Sequence, residues 1–220
     1  MEKLLIDSNI VVVSRGFNVP LFSQLWLKKK EIFSEEELLA ASPFFTPVAT
    51  QVDTKDCILT IQAERIQLGI KDSSLYEVLI EKLRKIILAL PECPYTGIGF
   101  NFTWSAIPAT RSVLEISKEN FLPKAKTNPW NKEFGGDKDT KIGAFYSKKF
   151  EGAWMNVDIR PKVINVASEN AKTDKESISF SFNFHHDLNN GNPVELIQEY
   201  LGSWCKKFNE AQRIVELTIE

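Results

Sequence analysis

A chain of 220 residues has room for one large domain or two small halves, which excludes a multidomain machine. Hydrophobic residues at 43% and aromatics at 11%, with only 10 Gly and 10 Pro, exclude a disordered, collagen-like or low-complexity chain. Lys and Arg number 27 against 29 Asp and Glu, so the net charge of −2 excludes a whole-molecule attraction to nucleic acid or to an anionic membrane.

The segment from Met1 to Val13 mixes Glu2, Lys3 and Asp7 with short apolar runs, which is not the pattern of a signal peptide. No apolar run approaches the roughly 18 residues of a membrane span. Cys57, Cys93 and Cys205 lie far apart and show no C-x-x-C spacing. They read as reduced thiols of a cytoplasmic protein, Cys57 and Cys205 in the core and Cys93 exposed.

In chain order, Ile10 to Val13 is a β-branched run that predicts a buried strand, and Leu21 to Lys30 reads as a short helix. Ser34-x-x-Glu37 has capping-box spacing and predicts the start of a second short helix, stopped by Pro43 and Pro47. Val48 to Val52 and Cys57 to Ala63 read as strands. The apolar parity changes at Glu64-Arg65, which predicts a bulge or corner before Ile66, Leu68 and Ile70. Leu75 to Leu90 carries the clearest helical stripe, with Ser74-x-x-Glu77 as its cap and Pro91 as its end. Ile98, Phe100, Phe102 and Trp104 alternate with Gly99, Asn101 and Thr103, the period of a strand with one buried face.

Residues 105–140 read as an irregular loop, with regular structure hinted only at Val113 to Ile116. Ile142 to Tyr146, Trp154 to Arg160 and Ile178 to His186 read as strands. In the last of these Phe180, Phe182 and Phe184 lie on one face and Ser179, Ser181, Asn183 and His185 on the other. A final helix opens with Asn192 as N-cap and Pro193 at its first position, and its stripe runs to Phe208.

These elements predict a single α+β domain: a two-layer sandwich of a mainly antiparallel sheet with two long helices on one face. A ββα order recurs, so a pseudo-duplication over 48–104 and 142–220, joined by the 105–140 loop, is a further expectation. On this reading the phenylalanine face packs under the helices. The opposite face, with Asn101, Thr103, Ser179, Ser181 and Asn183, meets a protein partner or a second copy in a homodimer, helped by Trp130 and Lys132 of the loop. No membrane association and no cofactor is expected.

Catalytic signals are sparse. His185-His186-Asp187 holds the only two histidines. Neighbours on a strand point to opposite faces, so the pair cannot hold one metal ion, and no metal site is expected. The alternative to a binding module is an enzyme of unrecognised class using His185 or His186 as base, with Asp187 or Asp158 nearby. No hydrolase elbow, phosphate loop or zincin motif occurs, and Gly97-x-Gly99 opens a strand where a dinucleotide site would need a helix. Gly135-Gly136-Asp137 reads as a loop turn before an anion cradle. Lys124 to Lys149 interleaves lysines with Trp130, Phe134, Phe145 and Tyr146, as a single-stranded nucleic-acid site would. A solvated loop and an edge strand guarded by lysines account for the same composition.

Overall fold

The computed structural model describes residues 2–125, 127–135, 139–168 and 171–219. Among them are nine strands: β1 (Glu2–Ser14), β2 (Phe44–Phe45), β3 (Ala49–Asp53), β4 (Cys57–Gln62), β5 (Arg65–Ile70), β6 (Tyr95–Ile107), β7 (Ala144–Phe150), β8 (Ala153–Ser168) and β9 (Ala171–Asp187). They form one antiparallel sheet in the order β2-β3-β4-β5-β1-β6-β9-β8-β7. Seven α-helices accompany it: α1 (Gln24–Lys29), α2 (Glu35–Ala41), α3 (Tyr76–Leu88), α4 (Val113–Phe121), α5 (Pro129–Phe134), α6 (Pro193–Leu201) and α7 (Trp204–Ile219). The fold is therefore mixed α+β. No described helix is long and apolar enough to cross a membrane.

Alternation along the strands sorts the sheet into two faces. Ile10, Phe100, Phe184 and Met155 form one register row across β1, β6, β9 and β8, and none is more than 3% exposed. Helix α7 lays Trp204 and Phe208 edge-on against Phe102 in the next row, each with ring centroids 5.6 Å away. Tyr76 of α3 stacks on Trp204 at 4.7 Å, and Arg84 of α3 donates to Gln198 Oε1 of α6 at 2.9 Å. These contacts tie three helices to one another over the same rows. Removing one buried ring of this kind costs about 3–5 kcal/mol, because the cavity left behind does not collapse.

Local chemistry sets the helix ends. Ser34 and Ser112 each complete a capping box, with Glu37 and Glu115 respectively, and Asn192 caps α6 by accepting from the Val194 N–H. At α3 the expected Ser74 cap is replaced: Asp72 accepts from the Ser74 N–H, and a 3₁₀ turn over Ser73–Leu75 precedes the helix. The single final helix expected from the stripe is broken at Gly202-Ser203, where Gly202 N–H bonds Glu199 O and Ser203 N–H bonds Tyr200 O, both at 3.0 Å. Glycine is a poor helix former, so the break falls where continuing the helix is least favourable.

Three further expectations are corrected. The parity change at Glu64-Arg65 is neither a bulge nor a corner but the tight hairpin of β4 and β5, which pair as Gln62 with Arg65 and Ile61 with Ile66. Folding back brings Leu59, Ile61, Ile66 and Leu68 to one buried face. Residues 105–140 are not a bare loop, since they contain α4 and α5. Strands β8 and β9 also run well past their predicted ends as a long hairpin paired as far as Ser168 and Ala171.

Candidate functional site

The residues that alternate with the core form the other face of the sheet, where Asn101, Thr103, Asn156, Ser181 and Asn183 are half-buried and Asn9, Ser105 and Ser179 are buried. Asn9 of β1, Asn101 of β6, Asn183 of β9 and Asn156 of β8 stand directly opposite one another in a single row, continued by Ser147 of β7. Their side chains bond along the row. Asn183 Nδ2 donates to Asn101 Oδ1 at 2.8 Å, Asn101 Nδ2 donates to Asn9 Oδ1 at 2.8 Å, and Asn9 Nδ2 donates to Asp7 Oδ2 at 2.6 Å. At the far end Ser147 Oγ donates to Asn156 Oδ1 at 2.7 Å. Thr103 and Ser181 pair in the neighbouring row between Asp7 and Asp158, and Ser179 pairs with Ser105 in the row beyond. The structure thus brings Asn101, Thr103, Ser179, Ser181 and Asn183 together on one face. Asn9 and Asn156 belong with them; the sequence groups Asn156 only with Asp158 and Arg160 on its own strand and does not single out Asn9, because strand register alone aligns them with Asn101 and Asn183.

On the other side of the ladder lies a row of Val11, Gly99, His185, Trp154 and Lys149. His185 Nε2 is 3.1 Å from Asp187 Oδ1, two residues along the strand on the same face. Its ring lies over Gly97, where an added Cβ would come within 3.0 Å of His185 Cε1 and 3.3 Å of the His186 carbonyl oxygen. Trp154 is exposed beside it, with Lys149 Nζ 5.5 Å from the indole ring. Asp158 does not converge on this pair. It lies four residues along the sheet from His185, about 13 Å at the strand rise, and Arg160 Nε donates to its Oδ1 at 2.8 Å.

His186 points the opposite way, into the core. It is 2% exposed, and neither ring nitrogen has a hydrogen-bond partner among the described residues. Burial, reinforced by the charges of Lys207 and His185, pushes its pKa down to about 4, so it stays neutral. Lys207 of α7 is equally sequestered: fully buried, its Nζ donates to Ser203 Oγ and stands 4.7 Å from the Phe100 ring centroid. Desolvation lowers its pKa to about 8 against the pull of Glu151. No ion pair to Lys207 is made among the described residues. Sequence reasoning missed this lysine, because on the α7 stripe it reads as one more solvated charge.

The lysine-rich stretch does not gather into one patch. Lys148 on the helix-facing side pairs with Glu210 at 3.3 Å, Lys149 faces the other way over Trp154, and Lys132 lies on α5. Trp130 is exposed on α5 and stacks on Phe134 at 5.8 Å, and no hydrogen bond, ion pair or ring contact joins Trp130 or Lys132 to the polar sheet face. Lys126, Lys138, Gly136 and Asp137 lie outside the described residues. Cys57 is buried, while Cys93 and Cys205 are both half-buried free thiols, so Cys205 is less enclosed than its stripe implied. Among the described residues no group of three His, Cys, Asp or Glu could hold a metal ion.

A cavity of about 520 Å³ opens between α4, α7 and the β7–β8 hairpin, lined by Phe121, Tyr146, Met155, Val157, Ile159 and Ile214 among others. Its floor is the covered face of β8, and its lining reaches Ser147, at the β7 end of the asparagine row. No protein-family model and no curated protein sequence matches the chain.

Proposed function

We propose that the protein is a binding module that receives a protein partner across the half-exposed polar face of its sheet. The observation that carries this reading is the hydrogen-bonded ladder Asp7–Asn9–Asn101–Asn183. A primary amide offers two donors and two acceptor lone pairs. Asn101 spends one donor on Asn9 and one acceptor on Asn183. One of each is left for a ligand, which is the complement of a peptide group. The ladder also holds the amides in place beforehand, so less side-chain freedom is lost on binding.

A two-layer arrangement, with α3 and α7 over one face, supports this assignment because it would leave the other face without a helical cover among the described residues. The element order supports a duplication with bounds other than those expected. β1, α1, α2, the β3-β4-β5 meander and α3 are followed by β6, α4, α5, the β7-β8-β9 meander, α6 and α7, and β1 pairs with β6 at the middle of the sheet. Three free thiols support a reducing compartment such as the cytoplasm.

A second reading is favoured by one observation, the His185–Asp187 pair at 3.1 Å on the same face, which would orient an imidazole as a general base. Replacing His185 by Gln separates the two readings, since it would abolish such a catalyst and spare binding along the ladder.

The test of the binding module places a photo-crosslinking residue at Ser181, with a control at Val78, which is exposed on α3. A polypeptide captured only from position 181, then purified and titrated, is expected to bind Asn101→Leu at least about tenfold more weakly than wild type. If no polypeptide is captured there, or if the folded Asn101→Leu protein binds it unchanged, the reading fails.

A further inference from the structure

The two ends of the sheet are built differently. One is closed by β2, only two residues long, and the other by β7, seven residues long, from Ala144 to Phe150. The five central residues of β7 are exposed, with Phe145 at 66% and Tyr146 at 53%. Its inner edge pairs with β8, and no backbone hydrogen bond among the described residues reaches it from the outer side. A long edge strand with unpaired peptide groups and bare aromatic rings is a template for another strand.

Lysines commonly guard such edges, and β7 carries Lys148 and Lys149. Here both are already occupied, Lys148 by Glu210 and Lys149 by the face of Trp154. The sequence Ala-Phe-Tyr-Ser-Lys-Lys-Phe also has an internal symmetry. Laid antiparallel on a second copy about Ser147, it sets Phe145 opposite Lys149 of that copy, Tyr146 opposite its Lys148, and Ala144 opposite its Phe150. Residues directly opposite in an antiparallel pair share a face. Phe145 and Lys149 both lie on the polar face, in register with Asp158 and Trp154, and Tyr146 and Lys148 both lie on the helix-facing side, in register with Val157 and Met155. Every lysine therefore meets an aromatic ring, the arrangement that favours a cation over a π face.

Neighbouring registers that keep the helices of both copies on the same side are worse. Centring on Lys148 sets two lysines face to face. Centring on Tyr146 leaves Lys149 and Phe150 opposite Gly143 and Ile142, outside the strand.

We propose that β7 is a self-association edge: two copies join through antiparallel β7–β7 pairing centred on Ser147, merging their sheets into one. The occupant of the edge is a second copy because in this register the strand sets each of its lysines opposite an aromatic ring of its own sequence. This does not depend on the polar face, and Asn101→Leu is expected to leave the dimer intact.

Sedimentation and light scattering from micromolar to submillimolar concentration read the mass of the whole chain. Wild type is expected to dimerise. Tyr146→Lys, which sets lysine against Lys148, weakens the dimer at least about tenfold. Tyr146→Glu, which sets a carboxylate there, preserves or strengthens it. Position 146 is exposed, so both variants are expected to keep the fold, and circular dichroism verifies this. Cysteine crosslinking tests the register against the wild-type chain and its native thiols. Ser147→Cys is expected to form a disulfide-linked dimer alone, whereas Tyr146→Cys and Lys148→Cys are expected to do so only when mixed. A monomer at every concentration, equal effects of Lys and Glu at position 146, or crosslinking that ignores position overturns the proposal.

Discussion

His186 lies flat against Tyr200, the two rings 3.9 Å apart and 16° from parallel, joining the end of β9 to α6. The stack holds the imidazole in a site where neither ring nitrogen has a hydrogen-bond partner among the described residues, and burial there disfavours the protonated form. An ionisable group held neutral inside the core makes stability depend on pH.

The sign follows from linkage. Unfolded histidine titrates near 6.5, and His186 in the folded chain titrates at about 4. As the pH falls from 6.5 towards 4, the unfolded chain takes up a proton that the native chain refuses, so stability is lost across that window, by up to about 3 kcal/mol. Carboxylates with lowered pKa values, such as Glu210 beside Arg213, add their own losses at lower pH. The informative quantity is therefore the difference between wild type and His186→Phe. Urea unfolding at pH 7.5 and 4.5 is expected to show a smaller acid loss in the variant, and equal losses would refute the assignment.

Lys207 presents the complementary case. Its folded pKa of about 8 lies below that of an unfolded lysine, near 10.4, so stability rises as the pH climbs between the two values. Below pH 8 the native chain carries a buried charge whose direct contacts among the described residues are Ser203 Oγ and the Phe100 ring, with Glu151 attracting it from further away. Lys207→Met is expected to stabilise the protein at pH 7 by about 1–3 kcal/mol, since an apolar side chain of similar volume avoids the desolvation. Thermal unfolding at pH 7 and 10.5 should show that gain shrinking at the higher pH. A loss of stability at pH 7 would mean that the ammonium has a role the desolvation argument omits.

Two glycines of β6 make a paired prediction. At Gly97 a methyl group meets His185 Cε1 at 3.0 Å and the His186 carbonyl at 3.3 Å, whereas at Gly99 its nearest neighbour is Asn183 Nδ2 at 3.5 Å. Gly97→Ala is expected to lift the His185 ring from its seat and to cost about 1–3 kcal/mol, with Gly99→Ala close to neutral. The ring resonances of His185 in a proton NMR spectrum should move in the first variant only.

Within the ladder Asn101 makes two side-chain bonds and Asn183 makes one. Asn101→Ala is expected to cost more than Asn183→Ala, about 1–2 kcal/mol against about 1. The double variant should cost less than the sum, because one bond is shared. Additive losses in urea unfolding would show that the row is a set of independent amides.

The antiparallel α+β fold was legible in the sequence because burial imposes a period. Phe100 to Trp104 and Phe180 to Phe184 alternate as strands half-covered by a core must, and Ser34 and Asn192 mark helix starts through bonds that reach only three residues along the chain. Alternation is equally why Asn101, Asn183 and His185 could be assigned to the face opposite the phenylalanines. The split of His185 from His186 followed from the same rule. It failed where an element's reach depends on what covers it, as at Gly202 and in the extended β8–β9 hairpin.

The local pattern of the chain determined which way each side chain points, since that is a matter of neighbouring peptide units. Which strands lie side by side was decided only by tertiary structure. That choice put Asn9 next to Asn101, a separation of 92 residues, and, among the described residues, left β7 at the edge of the sheet and enclosed Lys207 without an ion pair. Contacts between distant segments are selected by the packing of the whole core, and no stretch of sequence carries that information by itself.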